Sequence, residues 1–274
     1  MGERMAHMTQ VIADKINPPA AVPRLSRERL LTQLRASLEN CNSTIIQGRA
    51  GTGKTLLAAD FARLSGRRVA WYKLDAPDSE LSSFFRYLCA SVATARRGFG
   101  AHSLSALREQ AGAADVPMLV ESFVYELLEA DEPLLVVVDD WHLIYDADWV
   151  VQFFGRLLPL LPPEVHFVLI GRSLPPTPLW RMRSKQTLCV LDESSLAFTL
   201  TEARRLFGSY GLAPERAEES LLRTRGRANL LDTEARALAD SGRASGRLAP
   251  ARELNPRRTL RLVKGFSKSN LGTA

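Results

Sequence analysis

The sequence predicts an α/β fold: a central, mainly parallel five-stranded sheet wound with helices, followed by a small all-helical appendage. Two observations carry this. Five short apolar runs rich in β-branched residues, at 43–47, 68–74, 134–139, 166–171 and 187–191, have the length and composition of buried parallel strands. Between them stand segments whose apolar residues recur at helical spacing. Such alternation is the pattern of a sheet covered on both faces.

Taken in order, residues 17–24 (NPPAAVPR) are proline-rich and predict extended chain, and 25–38 predict a helix. Residues 55–64, with Leu57, Phe61 and Leu64 at helical spacing, predict the helix between the first two strands. Segments 80–94 and 116–130 predict helices between the second and third, and 149–161 the helix before the fourth. Trp71 and Tyr72 on the second strand are core candidates, and Asp75 at its carboxyl end is a candidate site neighbour. Beyond the fifth strand, 199–207, 214–224 and 230–241 predict the appendage. From Gly242 onward Gly, Ser, Pro and Arg erode the periodicity, which predicts loss of order. The chain so divides into an extended segment (1–24), a sheet domain (25–195), a helical appendage (196–242) and a basic tail (243–274). Right-handed crossovers place the loop after the first strand at the carboxyl edge of the sheet.

Composition narrows the class. With 46% apolar and 24% charged residues, the chain reads as ordinary globular protein. No apolar run approaches the roughly 18 residues that cross a bilayer, and 1–9 is too polar for a signal peptide. Cys41, Cys89 and Cys189 lack metal-ligand spacing and read as small buried side chains in a reducing compartment. These features predict a cytoplasmic protein without a membrane partner. Net charge is +6, yet residues 243–274 carry eight Lys or Arg against one Glu, leaving 28 basic against 29 acidic residues before them. That tail suits either non-specific contact with nucleic-acid phosphates or a solvated end; its single aromatic, Phe266, favours the second.

The strongest motif is Gly48-Arg49-Ala50-Gly51-Thr52-Gly53-Lys54-Thr55, which fits G-x-x-x-x-G-K-[ST] between a strand and a helix. Small residues let the backbone curl until successive N–H groups point at phosphate oxygens, and the helix adds its positive end. The motif predicts a P-loop NTPase that binds ATP, with Lys54 on the β- and γ-phosphates and the Thr55 hydroxyl on Mg²⁺. The 134–139 strand ends in Asp139-Asp140, the arrangement in which the first carboxylate serves Mg²⁺ and the second polarises the attacking water. Arg172 directly follows the fourth strand, where a γ-phosphate sensor can sit. Arg181 and Arg183 suit either an arginine finger for a neighbouring subunit or ordinary solvated ion pairs. His142 reads as a packed residue under the sheet edge.

With these residues in place, the chain resembles the ATPase module of the MalT-like, large LuxR-type transcriptional regulators, within the STAND class of signal-transduction ATPases. The likeness runs through Ile16-Asn17-Pro18-Pro19, Pro23-Arg24-Leu25, Val69-Ala70-Trp71-Tyr72-Lys73-Leu74-Asp75, Val138-Asp139-Asp140-Trp141-His142-Leu143-Ile144, Arg172-Ser173-Leu174-Pro175-Pro176 and Leu196-Ala197-Phe198-Thr199, over about residues 15–225. It implies an AAA-like fold and a regulatory switch in which ATP holds an assembly-competent, self-associating state that slow hydrolysis to ADP resets. The family usually places a Gly-Trp-Pro segment in its helical region; here Gly226-Arg227-Ala228 stands there. No paired helices suited to a major groove follow, so sequence-specific DNA binding by this chain is not expected. A phosphotransferase acting on a small acceptor and a nucleotide-bound interaction module without output domains are the alternatives.

Overall fold

The computed structural model describes residues 11–109, 115–181 and 188–246. Strands β1 (Ser43–Gln47), β2 (Arg68–Lys73), β3 (Leu134–Asp139), β4 (Val165–Gly171) and β5 (Leu188–Leu191) form one sheet in the order β2-β3-β4-β1-β5. All neighbouring pairs are parallel. β3 and β4 are buried along their whole length, which is why both read as unbroken apolar runs. The helices are α1 (Glu28–Asn40), α2 (Lys54–Leu64), α3 (Leu81–Ala95), α4 (Ala101–Glu109), α5 (Val116–Leu128), α6 (Val150–Leu160), α7 (Thr177–Trp180), α8 (Glu193–Leu196), α9 (Leu200–Ser209), α10 (Arg216–Thr224) and α11 (Ala228–Gly246).

Alternation along the strands divides the core into two layers. Val136, Val138, Ala70, Tyr72 and Ile45 face the aromatic side, with Phe84, Phe85, Phe123, Phe153 and Phe154 from α3, α5 and α6. Leu135, Val137, Trp71 and Ile46 face the other side, with Leu30, Leu34, Leu57 and Phe61 from α1 and α2. In the register, Gln47 lies opposite Gly171 and Lys73 opposite Asp139. The carboxyl ends of β1 to β4 therefore finish level, and the loops after β1, β3 and β4 meet at one edge.

The strands begin and end within one residue of the sequence expectation, whereas several local expectations change. α1 starts at Glu28, not at residue 25, because the preceding residues are used elsewhere. Leu25 packs among α9, α10 and α11, Arg24 lies 4.0 Å over the Tyr210 ring, and Arg27 pairs with Glu202 at 3.0 Å. α4 was not foreseen; its N-terminal amides at Gly100, His102 and Ser103 donate to the buried Glu126 carboxylate of α5. Asp75 pairs with the N-terminal segment. Its carboxylate accepts from Lys15 at 2.8 Å and shares that ammonium with Asp78, inside a capping box. Burial alone would lower the Lys15 pKa, but the two carboxylates outweigh it and hold it raised. The 11–24 segment thus includes a 3-10 turn at Ala13–Lys15 anchored to the end of β2, not extended chain alone.

α9, α10 and α11 close on their own apolar cluster of Ala203, Leu206, Phe207, Ala217, Leu231 and Ala235. α11 continues to Gly246, past the point where periodicity fades; the rest of the basic tail lies outside the described residues. No described helix is long and apolar enough to cross a membrane.

A buried polar chain under β4 supplies a pH prediction. His166 Nδ1 lies 3.0 Å from the Cys41 carbonyl, which can only accept, so Nδ1 carries the proton. Nε2 then accepts from Thr44 Oγ1 at 2.8 Å, and Thr44 accepts from Ser37 at 2.6 Å. Burial pushes the His166 pKa down to about 4. The unfolded chain, with His near about 6.5, takes up its proton first as pH falls, so folding weakens from about pH 6.5 towards 4, by roughly 3 kcal/mol at the lower end. Urea titrations at several pH values should show the stability gap between wild type and His166→Gln shrinking as the medium is acidified. Parallel curves would contradict this assignment.

Candidate functional site

Residues 48–55 leave β1 and open α2. Gly51 and Gly53 adopt φ of 80° and 88°, left-handed values that other L-residues rarely take. A Cβ on Gly51 would also lie 2.5 Å from the Asn229 side chain, and one on Gly48 3.2 Å from Thr52 Oγ1. The amides of Gly51, Thr52, Gly53, Lys54 and Thr55 find no acceptor among the described residues. Unpaired donors and the positive end of α2 therefore converge on one concave turn, the usual makings of an anion cradle.

Lys54 crosses this turn, its Nζ donating to the carbonyls of Gly48 at 2.6 Å and Arg49 at 2.9 Å. Burial lowers its pKa and the Arg172 charge adds to this, against Asp139, Asp140 and Glu193. The Thr55 hydroxyl donates to Asp139 Oδ2 at 3.0 Å, joining the start of α2 to the end of β3. Asp139 is only 2% exposed. Burial, and next the charge of Asp140, push its carboxyl up to about 6, while the Thr55 hydroxyl and the Asp140 amide act in the opposite direction. Asp140 sits at φ 58°, which swings its carboxylate out of the strand line. His142 Nδ1 is buried without a hydrogen-bond partner, 3.9 Å from Asp140 Oδ1. Burial lowers its pKa against the opposing charge of Asp140, and Arg172 and Lys54 add to the lowering. Arg172, exposed just beyond β4, is thus within electrostatic reach of both Lys54 and His142.

The outer side of the loop is gripped by the C-terminal half of the chain. The Arg49 amide donates to Glu193 Oε2 at 2.8 Å, and its Nε donates to Oε1 at 2.7 Å. Those bonds hold the Glu193 carboxyl below its ordinary value. The Ala50 carbonyl accepts from the Arg227 guanidinium, and the Gly51 carbonyl accepts from the Asn229 amide at 3.0 Å. A pocket of about 240 Å³ opens between the loop, Leu196, Ala197 and the Thr224–Arg227 turn.

Residues 25–170, which include this loop and the Asp139-Asp140 pair, match the family model described as AAA ATPase domain. The chain belongs to this family. The chain is 31% identical over 212 residues to the HTH-type transcriptional regulator MalT of Serratia proteamaculans, covering 77% of this chain and 23% of that protein. For MalT of Yersinia enterocolitica the identity is 31% over 198 residues, 72% of this chain and 22% of that one. The chain thus spans less than a quarter of the length of these relatives and matches their ATPase module. Among solved structures, the Walker-type ATPase paby2304 of Pyrococcus abyssi superposes with a TM-score of 0.50 at 14% identity, covering 87% of this chain and 77% of that one, a likeness of fold alone.

Within the AAA domain the structure brings together Gly48, Lys54, Thr55, Asp139 and Asp140, with Arg172 at the rim. It engages the Arg49 amide with Glu193. Arg181 is exposed, and Arg183 lies outside the described residues. Sequence reasoning missed Glu193, Arg227 and Asn229, whose contacts with the loop carry no local signal. His142, read from the sequence as a packed residue, is largely buried, with its Nδ1 3.9 Å from Asp140 Oδ1. Trp71 and Tyr72 are buried as expected.

Proposed function

We propose that this AAA domain binds ATP with Mg²⁺ and works as a signalling switch of the MalT regulator type, reset by slow hydrolysis. The observation that carries the reading is the meeting of Lys54, Thr55 and Asp139 around a loop whose glycines leave no room for side chains. The amides of Gly51 to Thr55 and the Lys54 ammonium suit phosphate oxygens. Thr55 and Asp139 supply two oxygen ligands for Mg²⁺, and among the described residues no three His, Cys, Asp or Glu gather to hold a metal unaided. That suits Mg²⁺, which commonly takes one or two protein groups and completes its shell with phosphates and water. Bound there, it would neutralise charge on the phosphates.

In this reading Asp140 accepts a proton from the attacking water, and Arg172 registers the γ-phosphate. A nucleotide can bias a switch only by binding its two states with different affinities, and contacts unique to the third phosphate supply that difference. Slow turnover follows if an arginine from a second copy has to complete the site, consistent with self-association in the ATP state. Asp140→Asn tests the assignment. ATP affinity should stay within about twofold, while single-turnover hydrolysis slows by on the order of 100-fold, as expected on losing a general base. An unchanged hydrolysis rate would remove Asp140 from the mechanism.

A further inference from the structure

Arg227 and Asn229, at the start of α11, both reach the outer face of the phosphate loop. The Arg227 guanidinium donates through Nε and Nη2 to the Ala50 carbonyl. The Asn229 amide donates to the Gly51 carbonyl at 3.0 Å, and its side chain lies over the Gly51 Cα. In a trans peptide the C=O and the following N–H point in opposite directions. Pinning the Ala50 and Gly51 carbonyls outward therefore aims the Gly51 and Thr52 amides into the cradle. A hydrogen bond to a carbonyl also polarises the amide it belongs to, strengthening the opposite donor.

The turn that presents these groups is itself braced. The Phe198 amide donates to the Gly226 carbonyl at 2.8 Å, and a Cβ on Gly226 would lie 2.8 Å from the Phe198 nitrogen. Arg27 in turn lies 4.2 Å over the Phe198 ring. A continuous set of contacts thus runs from the start of α1, through the α8–α9 joint, to the phosphate loop.

We infer that Arg227 is a positioning residue for the phosphate loop, holding its amides in the phosphate-binding orientation. The inference rests on the ATP-binding reading above.

The test compares the wild-type chain, Arg227→Ala, Arg227→Lys and Lys54→Ala by equilibrium titration with ADP and with adenosine, and by amide hydrogen exchange without nucleotide. In Arg227→Ala, ADP binding should weaken about tenfold with adenosine binding unchanged, the loss of roughly one charge-assisted hydrogen bond. Exchange at Gly51 and Thr52 should quicken, and Arg227→Lys should restore part of both. Wild-type ADP affinity and exchange in Arg227→Ala would overturn the inference, as would an equal loss of ADP and adenosine. Unaltered ADP binding in Lys54→Ala would instead overturn the underlying nucleotide reading, and this inference with it.

Discussion

Lys54→Ala should weaken ATP binding by on the order of 100-fold or more, with the fold intact. The ammonium sits within the loop, donating to the Gly48 and Arg49 carbonyls, and its desolvation is already reflected in a lowered pKa. Exchanging those carbonyls for phosphate oxygens turns neutral acceptors into charged ones, and charge-assisted bonds are roughly twice as strong as neutral ones. Alanine removes that gain and leaves phosphate charge facing an apolar methyl. Because its ammonium bonds only carbonyls of the loop itself, its loss should leave the unfolding midpoint close to wild type. Calorimetric titration with Mg-ATP together with urea unfolding checks both halves. Unchanged affinity, or an affinity loss explained by unfolding, would remove Lys54 from the site.

Phe84→Ala should destabilise the fold by about 3–5 kcal/mol, the range for deleting a buried aromatic. Phe84 has no exposed surface, and its ring meets Tyr72 at 5.7 Å, Trp149 at 4.7 Å, Phe153 at 5.3 Å and Phe154 at 5.8 Å between centroids. It joins β2, α3 and α6 on one face of the sheet, so a cavity there has rigid walls and little means of collapse. Against a total stability typically of 5–15 kcal/mol, this is a large fraction. Urea denaturation should show a lower midpoint with little change in slope. A loss below about 1 kcal/mol would mean that neighbouring rings refill the space.

The sheet was legible because its signals are local. Leu134 to Val138 form an uninterrupted apolar run, and Gly48 to Thr55 combine glycine, lysine and threonine at a spacing with few structural meanings. The same local character places Thr55 and Asp139: each ends or follows a strand visible in the sequence, so both fall at the carboxyl edge of the sheet. What escaped is long-range and polar. Glu193 reaches Arg49 across 144 residues and Arg227 reaches Ala50 across 177, and no periodicity reports such pairs. Glu126 caps α4 from another helix, so a segment with weak local signals becomes helical through tertiary structure. Asp75 looked like a site neighbour from its place at a strand end. A buried lysine from the N-terminal segment claims it instead, and sequence alone gave no cue that residue 15 folds back there.

The central claim is that the loop after β1 recognises phosphates. Titration of the wild-type protein with Mg-ATP and, in parallel, with adenosine tests it most directly. Saturable one-to-one binding of Mg-ATP, at least about 100-fold tighter than adenosine, is the expected result, since the unpaired amides and Lys54 address only the phosphates. Equal affinity for the two, or no saturation by Mg-ATP at millimolar concentration, would contradict it.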